Sequence, residues 1–97
     1  MFKTNEYFDG NVMSIGYESA INAEKKPASV GVMAPGEYVF STAAKEKMTV
    51  ITGALEIQMP NASESNTYNA GESFDVDADS SFNVSVKTET AYLCVYG

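Results

Sequence analysis

The sequence of 97 residues has no histidine, no arginine and no tryptophan, and it has a single cysteine. Without imidazole, and with Cys94 as the sole thiol, the ligand sets that hold zinc, copper or non-haem iron are missing. The same gap removes histidine triads and histidine acid–base catalysis. Cys94 has no intrachain partner, so no disulfide framework exists. The only basic side chains are six lysines against thirteen acids, a net charge of −7. That balance argues against nucleic acid as a partner, because phosphate backbones are met by Lys/Arg surfaces. Met1–Glu6 carries no basic-then-apolar leader, and no apolar run approaches the length of a membrane span. The expectation is a cytoplasmic chain with no membrane association, no metal and no bound cofactor.

What is present is a period of two. Met13, Ile15 and Tyr17 alternate with Val12, Ser14 and Gly16. Val30 and Val32 alternate with Ser29, Gly31 and Met33, and Tyr38, Phe40 and Thr42 with Glu37, Val39 and Ser41. Similar short runs cover 48–52, 55–59, 73–76, 82–86 and 91–96, all rich in β-branched and aromatic residues. Turn dipeptides separate them: Asp9-Gly10, Pro35-Gly36, Thr52-Gly53, Pro60-Asn61 and Ala70-Gly71. No stretch keeps a helical period, so nothing helical is expected beyond a turn near Asn5–Phe8. The polar stretches Ala20–Pro27 and Asn61–Asn66 read as loops. About eight short strands in one chain predict a single all-β domain over 1–97, an antiparallel sandwich or small barrel that hides its edges by closure.

One spacing stands out. Gly36, five residues, Thr42, one residue, Ala44, then Glu46, six residues and Gly53 resembles the first cupin motif, with a shorter gap before Glu46. Gly71, five residues, Asp77, one residue, Asp79, two residues and Phe82 echoes the second. Thr42, Ala44 and Phe82 stand where that motif pair has its histidines, and Glu46 is the one remaining ligand type. A single carboxylate does not hold a transition metal specifically. The resemblance therefore implies a cupin-like jelly-roll β-barrel without its metal. The run Asp75–Asp79 invites a calcium loop, but Ser80 and Val86 stand where an EF-hand needs Gly and Glu.

A longer resemblance covers Asn5 to Tyr96. Asn5-Glu6-Tyr7-Phe8, Ser29-Val30-Gly31-Val32-Met33, Pro35-Gly36-Glu37-Tyr38, Phe40-Ser41-Thr42, the run from Met48 to Leu55 and Ala91-Tyr92-Leu93-Cys94-Val95-Tyr96 carry it. In these stretches the chain is similar to the small cupin-type pyrimidine/purine nucleoside phosphorylases of bacteria. The resemblance implies phosphorolysis of purine and pyrimidine nucleosides to free base and α-D-ribose 1-phosphate, with inorganic phosphate as co-substrate and no metal. Two segments depart from the family pattern: Lys26-Pro27-Ala28, where members can carry an arginine, and Asp77-Ala78-Asp79, where the turn often reads Pro-Gly-His.

Such chemistry needs alignment, charge placed where it develops at C1′, and a proton or hydrogen bond for the leaving base. Glu46 is the candidate acid, provided a dry site raises its pKa; otherwise it is a rim carboxylate beside Lys45 and Lys47. Tyr38 would bond base or sugar, or sit in the core with its hydroxyl satisfied. If Thr42 faces inward, Tyr38 and Phe40 do so too, and Thr42 would touch phosphate or ribose. Phe40 and Phe82 would offer a stacking wall for a base, or simply pack. Ser41 and Ser29 are further hydroxyl candidates whose direction the alternation leaves open. Lys45 and Lys47 could attract phosphate, or stand solvated on an edge. The rival reading is a non-catalytic, metal-free cupin that binds a small sugar or nucleotide-like ligand. A homodimer is expected, with the apolar N-terminal segment (Phe2, Tyr7, Phe8) ordered against a neighbouring sheet.

Overall fold

The structure, a computed structural model, describes residues 2–21 and 24–97. Ten strands follow one another: β1 (Lys3–Tyr7), β2 (Val12–Ile21), β3 (Glu24–Met33), β4 (Gly36–Ser41), β5 (Glu46–Thr52), β6 (Ala54–Gln58), β7 (Asn66–Asn69), β8 (Ser73–Val76), β9 (Ser81–Val86) and β10 (Thr90–Tyr96). A single 3₁₀ turn, Phe8–Gly10, joins β1 to β2. The short alternating runs become strands because each can bury one side and wet the other. In β9 the pattern is strict: Phe82, Val84 and Val86 are buried, and Ser81 and Asn83 are exposed.

The strands form two antiparallel sheets, ordered β1-β2-β3-β10-β5-β8 and β4-β9-β6-β7. They face each other over one apolar core. Val12, Met33, Met48, Val50, Phe74 and Val76 of the larger sheet meet Leu55, Ile57, Phe82, Val84 and Val86 of the smaller. The chain changes sheets between β5 and β6 at Gly53, whose φ of +90° suits glycine.

Three expectations are corrected here. The all-β jelly-roll class holds, but the sheets do not pair into a closed barrel: β1, β8, β4 and β7 remain edge strands, and the arrangement is a sandwich. Two sheets filled by interdigitating side chains need no closing hydrogen bonds. The stretch Ala20–Pro27 is not a loop, since β2 and β3 keep register from Val12↔Met33 to Ile21↔Glu24. Residues 22 and 23 lie outside the described ones. Pro27 is tolerated because the pairing of β3 with β10 ends at Ala28↔Val95, which leaves Pro27 a neighbour on one side only. Residues 5–7 are strand rather than turn, and the turn comes at Phe8–Gly10.

Candidate active site

The core fills one end of the sandwich and leaves the other open. There a pocket of about 350 Å³ lies between the sheets, within the range of small-molecule sites, about 300–1,000 Å³. One wall is aromatic. Phe40 of β4 and Phe82 of β9, cross-strand partners, stack with ring centroids 5.8 Å apart and planes 21° from parallel. Phe8 closes the mouth, 5.4 Å from Phe40 and 4.9 Å from the Tyr38 ring. Phe8 reaches it from a backbone with φ +53°, followed by Asp9 at +56° and Gly10 at +86°. Left-handed conformation costs roughly 1–2 kcal/mol per non-glycine residue, so the contacts of Phe8 with the two rings hold the turn against strain.

The opposite wall is polar and comes from β10, β5 and β2. Alternation places Tyr92, Cys94 and Tyr96 on one face of β10, with Glu46 and Met48 of β5 beside them and Ser14 of β2 beyond. The Cys94 thiol donates to Glu46 Oε1 at 3.4 Å, and the Tyr96 hydroxyl shares a hydrogen bond of 2.9 Å with Ser29 Oγ. Glu46 is the only carboxylate among the described residues of the lining. Burial pushes its carboxyl above the usual 4.5, and the thiol bond opposes this only in part. Burial, then the Glu46 charge, raises the Cys94 thiol, and burial pushes the Tyr92 phenol up to about 12 against the opposing bond to Ser14. Gly31 makes room for that phenol: a Cβ there would stand 2.8 Å from Tyr92 Oη and 2.5 Å from the Met13 carbonyl. The result is a half-buried carboxyl, its proton affinity raised by burial, in the same pocket as a stacked aromatic wall.

Of the nine residues singled out from sequence, Glu46, Phe40, Phe82 and Ser41 meet in this pocket. The other five do not line it, and Ser29 borders a neighbouring cavity with its hydroxyl bonded to Tyr96. The Tyr38 hydroxyl donates to the Ala34 carbonyl at 2.6 Å, and its ring supports Phe8. Thr42 faces inward but is spent on the backbone: its hydroxyl donates to the Asp77 carbonyl at 2.6 Å and accepts from the Ser80 N–H at 2.9 Å. It thereby ties the end of β4 to the β8–β9 turn. Lys47 flanks inward-facing Glu46 on β5, so alternation turns it to the outer surface, and Lys45 is also exposed. Tyr7 and Phe8 line the pocket, and Phe8 packs on Tyr38 and Phe40 of the facing sheet. Sequence reasoning missed Ser14, Met48, Tyr92, Cys94 and Tyr96; the alternation in β10 was the available signal, but not which face it turned inward. Nothing in the sequence marked Phe8 as left-handed.

A family model described as pyrimidine/purine nucleoside phosphorylase matches residues 2–96. A pyrimidine/purine nucleoside phosphorylase of Shewanella halifaxensis is 54% identical over 97 residues, covering all of both chains. The chain belongs to this family. A solved structure of a Vibrio parahaemolyticus protein of unknown function shares 48% identity with this pyrimidine/purine nucleoside phosphorylase family member, at a TM-score of 0.91, covering 100% of this chain and 99% of that one. An ethanolamine utilization protein Q of Salmonella typhimurium, 16% identical at a TM-score of 0.74 over 99% of this chain and 93% of its own, shares the fold alone. Both segments that depart from the family pattern lie outside the pocket. Asp77–Asp79 forms the β8–β9 turn, and Pro27 and Ala28 border a second cavity beside Ser29. No helix among the described residues is long and apolar enough to cross a membrane.

Proposed function

We propose that this protein is a nucleoside phosphorylase that uses inorganic phosphate to cleave purine and pyrimidine nucleosides to free base and α-D-ribose 1-phosphate. The observation that carries the reading is the pairing, in one pocket, of the Phe40–Phe82 wall with the half-buried carboxyl of Glu46. A flat base stacks on that wall with little regard to its ring pattern, which suits breadth of substrate. Membership of the family supplies the reaction class, and the named relatives share the whole chain.

In the mechanism, a phosphate oxygen forms a bond to C1′ as the C1′–N bond breaks and its electron pair leaves with the base. The sugar passes through an oxocarbenium-like transition state, as in glycoside hydrolysis. Glu46, whose hold on a proton burial strengthens, gives that proton to the departing base nitrogen, and the incoming phosphate or solvent restores it. The carboxylate that results lies beside the cationic sugar and stabilises it. Tyr92 and Tyr96 supply hydroxyls on the sugar side. Phosphate is the nucleophile, so no activated serine or cysteine is required. No metal or organic cofactor enters the scheme.

The protein acts as a homodimer in the cytoplasm in this reading. Support comes from the outer face of the larger sheet, where Met13, Ile15, Val30 and Val32 are each more than two-fifths exposed and adjoin across the strands. Leu93 extends the patch beside Val30. Uncharged apolar ground of this kind is typical of an interface.

The test is base release from uridine, adenosine and inosine, with and without phosphate, before and after EDTA. The expected result is turnover that requires phosphate and survives chelation. Release without phosphate would overturn phosphorolysis, and loss on chelation would overturn the metal-free scheme. Thermal stabilisation by nucleosides without any turnover would instead support the binding-module reading.

A further inference from the structure

Among the described residues, the pocket that holds Glu46 has no cation in its lining, yet the reaction proposed above needs a place for a dianion. A second cavity, of about 460 Å³, lies along the larger sheet, bordered by residues of β1, β2, β3 and the end of β10. It is bordered by Lys3, Asn5, Gly16, Glu18, Ser29 and Tyr96 among others. Tyr96 lines both cavities, so they adjoin at its ring. We propose that this trough is the orthophosphate subsite, with Lys3 as its charge and Tyr96 as the boundary across which phosphate meets the sugar. The proposal rests on the phosphorylase reading and names the anion's place within it.

Register explains why the parts converge. Lys3 of β1 stands opposite Gly16 of β2, Gly16 opposite Ser29 of β3, and Ser29 opposite Cys94 of β10. Directly opposed residues share a face, so Lys3, Ser29 and Cys94 point to the same side of the sheet. Gly16, between them, has no side chain to fill the floor. Strands lie about 4.8 Å apart, so Lys3 and Ser29 are separated by about two such spacings, and the flexible lysine stem extends over the gap. In the next row Asn5 lies opposite Ser14, its amide 3.4 Å from that hydroxyl. The cavity therefore offers the Lys3 ammonium, the Asn5 amide and the mutually bonded Ser29–Tyr96 hydroxyl pair, which keeps one proton to turn toward phosphate.

Charge favours this end over the other. Glu46 would repel a dianion whenever ionised. Among the lining residues the one carboxylate, Glu18, lies 3.9 Å from Lys25 Nζ in an exposed pair that offsets part of its charge. Lys3 makes no ion pair with a described residue, and so it can bind an added anion without first breaking one.

The test uses the full chain and two variants. Lys3→Met removes the charge and keeps the stem. Gly16→Val fills the floor where a Cβ would meet the Lys3 and Ala28 carbonyls no closer than 3.6 Å, ordinary contact on a backbone any residue can adopt. Steady-state rates are measured against phosphate and nucleoside separately, and binding of inorganic phosphate alone is followed by calorimetry, with the melting temperature as the folding control. The expected result is a rise of about tenfold or more in the KM for phosphate in each variant, an unchanged KM for nucleoside, and a matching loss in calorimetric affinity. Unchanged phosphate KM and affinity in both folded variants overturn the subsite while leaving the phosphorylase reading intact. Phosphate binding that depends on Lys3, in a protein that releases no base, upholds the subsite and overturns the reading. Absence of phosphate binding and of turnover in the wild type overturns both.

Discussion

Glu46→Gln separates catalysis from folding more sharply than any other change. The amide keeps the shape of the carboxyl, and its oxygen still accepts the Cys94 thiol now 3.4 Å from Oε1. What it loses is a transferable proton. General acid catalysis contributes typically about 10²–10⁴-fold, so kcat should fall by that factor, about 3–5 kcal/mol of barrier. Stability moves the other way. Burial holds the folded carboxyl above its ordinary 4.5, so the folded state keeps the proton at pH values where the unfolded state has released it. The stabilisation from this group is therefore full below 4.5 and is lost as pH climbs through the raised folded value. Gln removes that slope, and above the raised folded pKa the variant should melt no lower than the wild type. The wild-type rate should also decline as pH rises through the folded pKa, a limb that the variant lacks. Base release by chromatography and melting by circular dichroism across pH check both halves. Activity within about threefold of wild type, well below the range for a general acid, would refute the acid role. A fall in melting temperature at alkaline pH would refute the burial argument.

Other outcomes follow from the packing. Thr42→Val strands the Asp77 carbonyl and the Ser80 N–H, and should cost about 1–3 kcal/mol in urea unfolding, with the KM for phosphate unchanged; a large KM effect would return Thr42 to the site. Gly53→Ala drives a Cβ into Thr90 Oγ1 at a φ of +90°, for a loss of about 2–5 kcal/mol. Its urea midpoint should fall sharply, and an unchanged midpoint would refute the sheet-crossing turn as described. Val32→Glu puts a charge on the outer apolar face, where Val32 is 55% exposed. It should convert a dimer to a monomer in sedimentation without lowering the melting temperature of the fold, whereas a dimer that persists would place the interface elsewhere.

Local pattern determined eight of the ten strands, missing β1 and β7, and much of the chemistry. Alternation is a property of the backbone, so Tyr38, Phe40 and Thr42 could be placed on one face from spacing alone, and the absence of histidine and arginine could be read from composition. The same alternation in β10 was visible, but its inward face was not, because that depends on which neighbours β10 acquires. Its partners, β3 and β5, lie about 60 and 45 residues away along the chain. Only the assembled sandwich brought Cys94 against Glu46, spent the Thr42 and Tyr38 hydroxyls on backbone carbonyls, and turned Lys47 to solvent. Whether the sheets closed was likewise beyond sequence, since closure rests on edge pairings between strands whose local patterns are alike. Residue types set what chemistry the chain could perform; long-range register decided which of them share a cavity, because each cross-strand step carries a side chain only about 5 Å and one shift of register reverses its face.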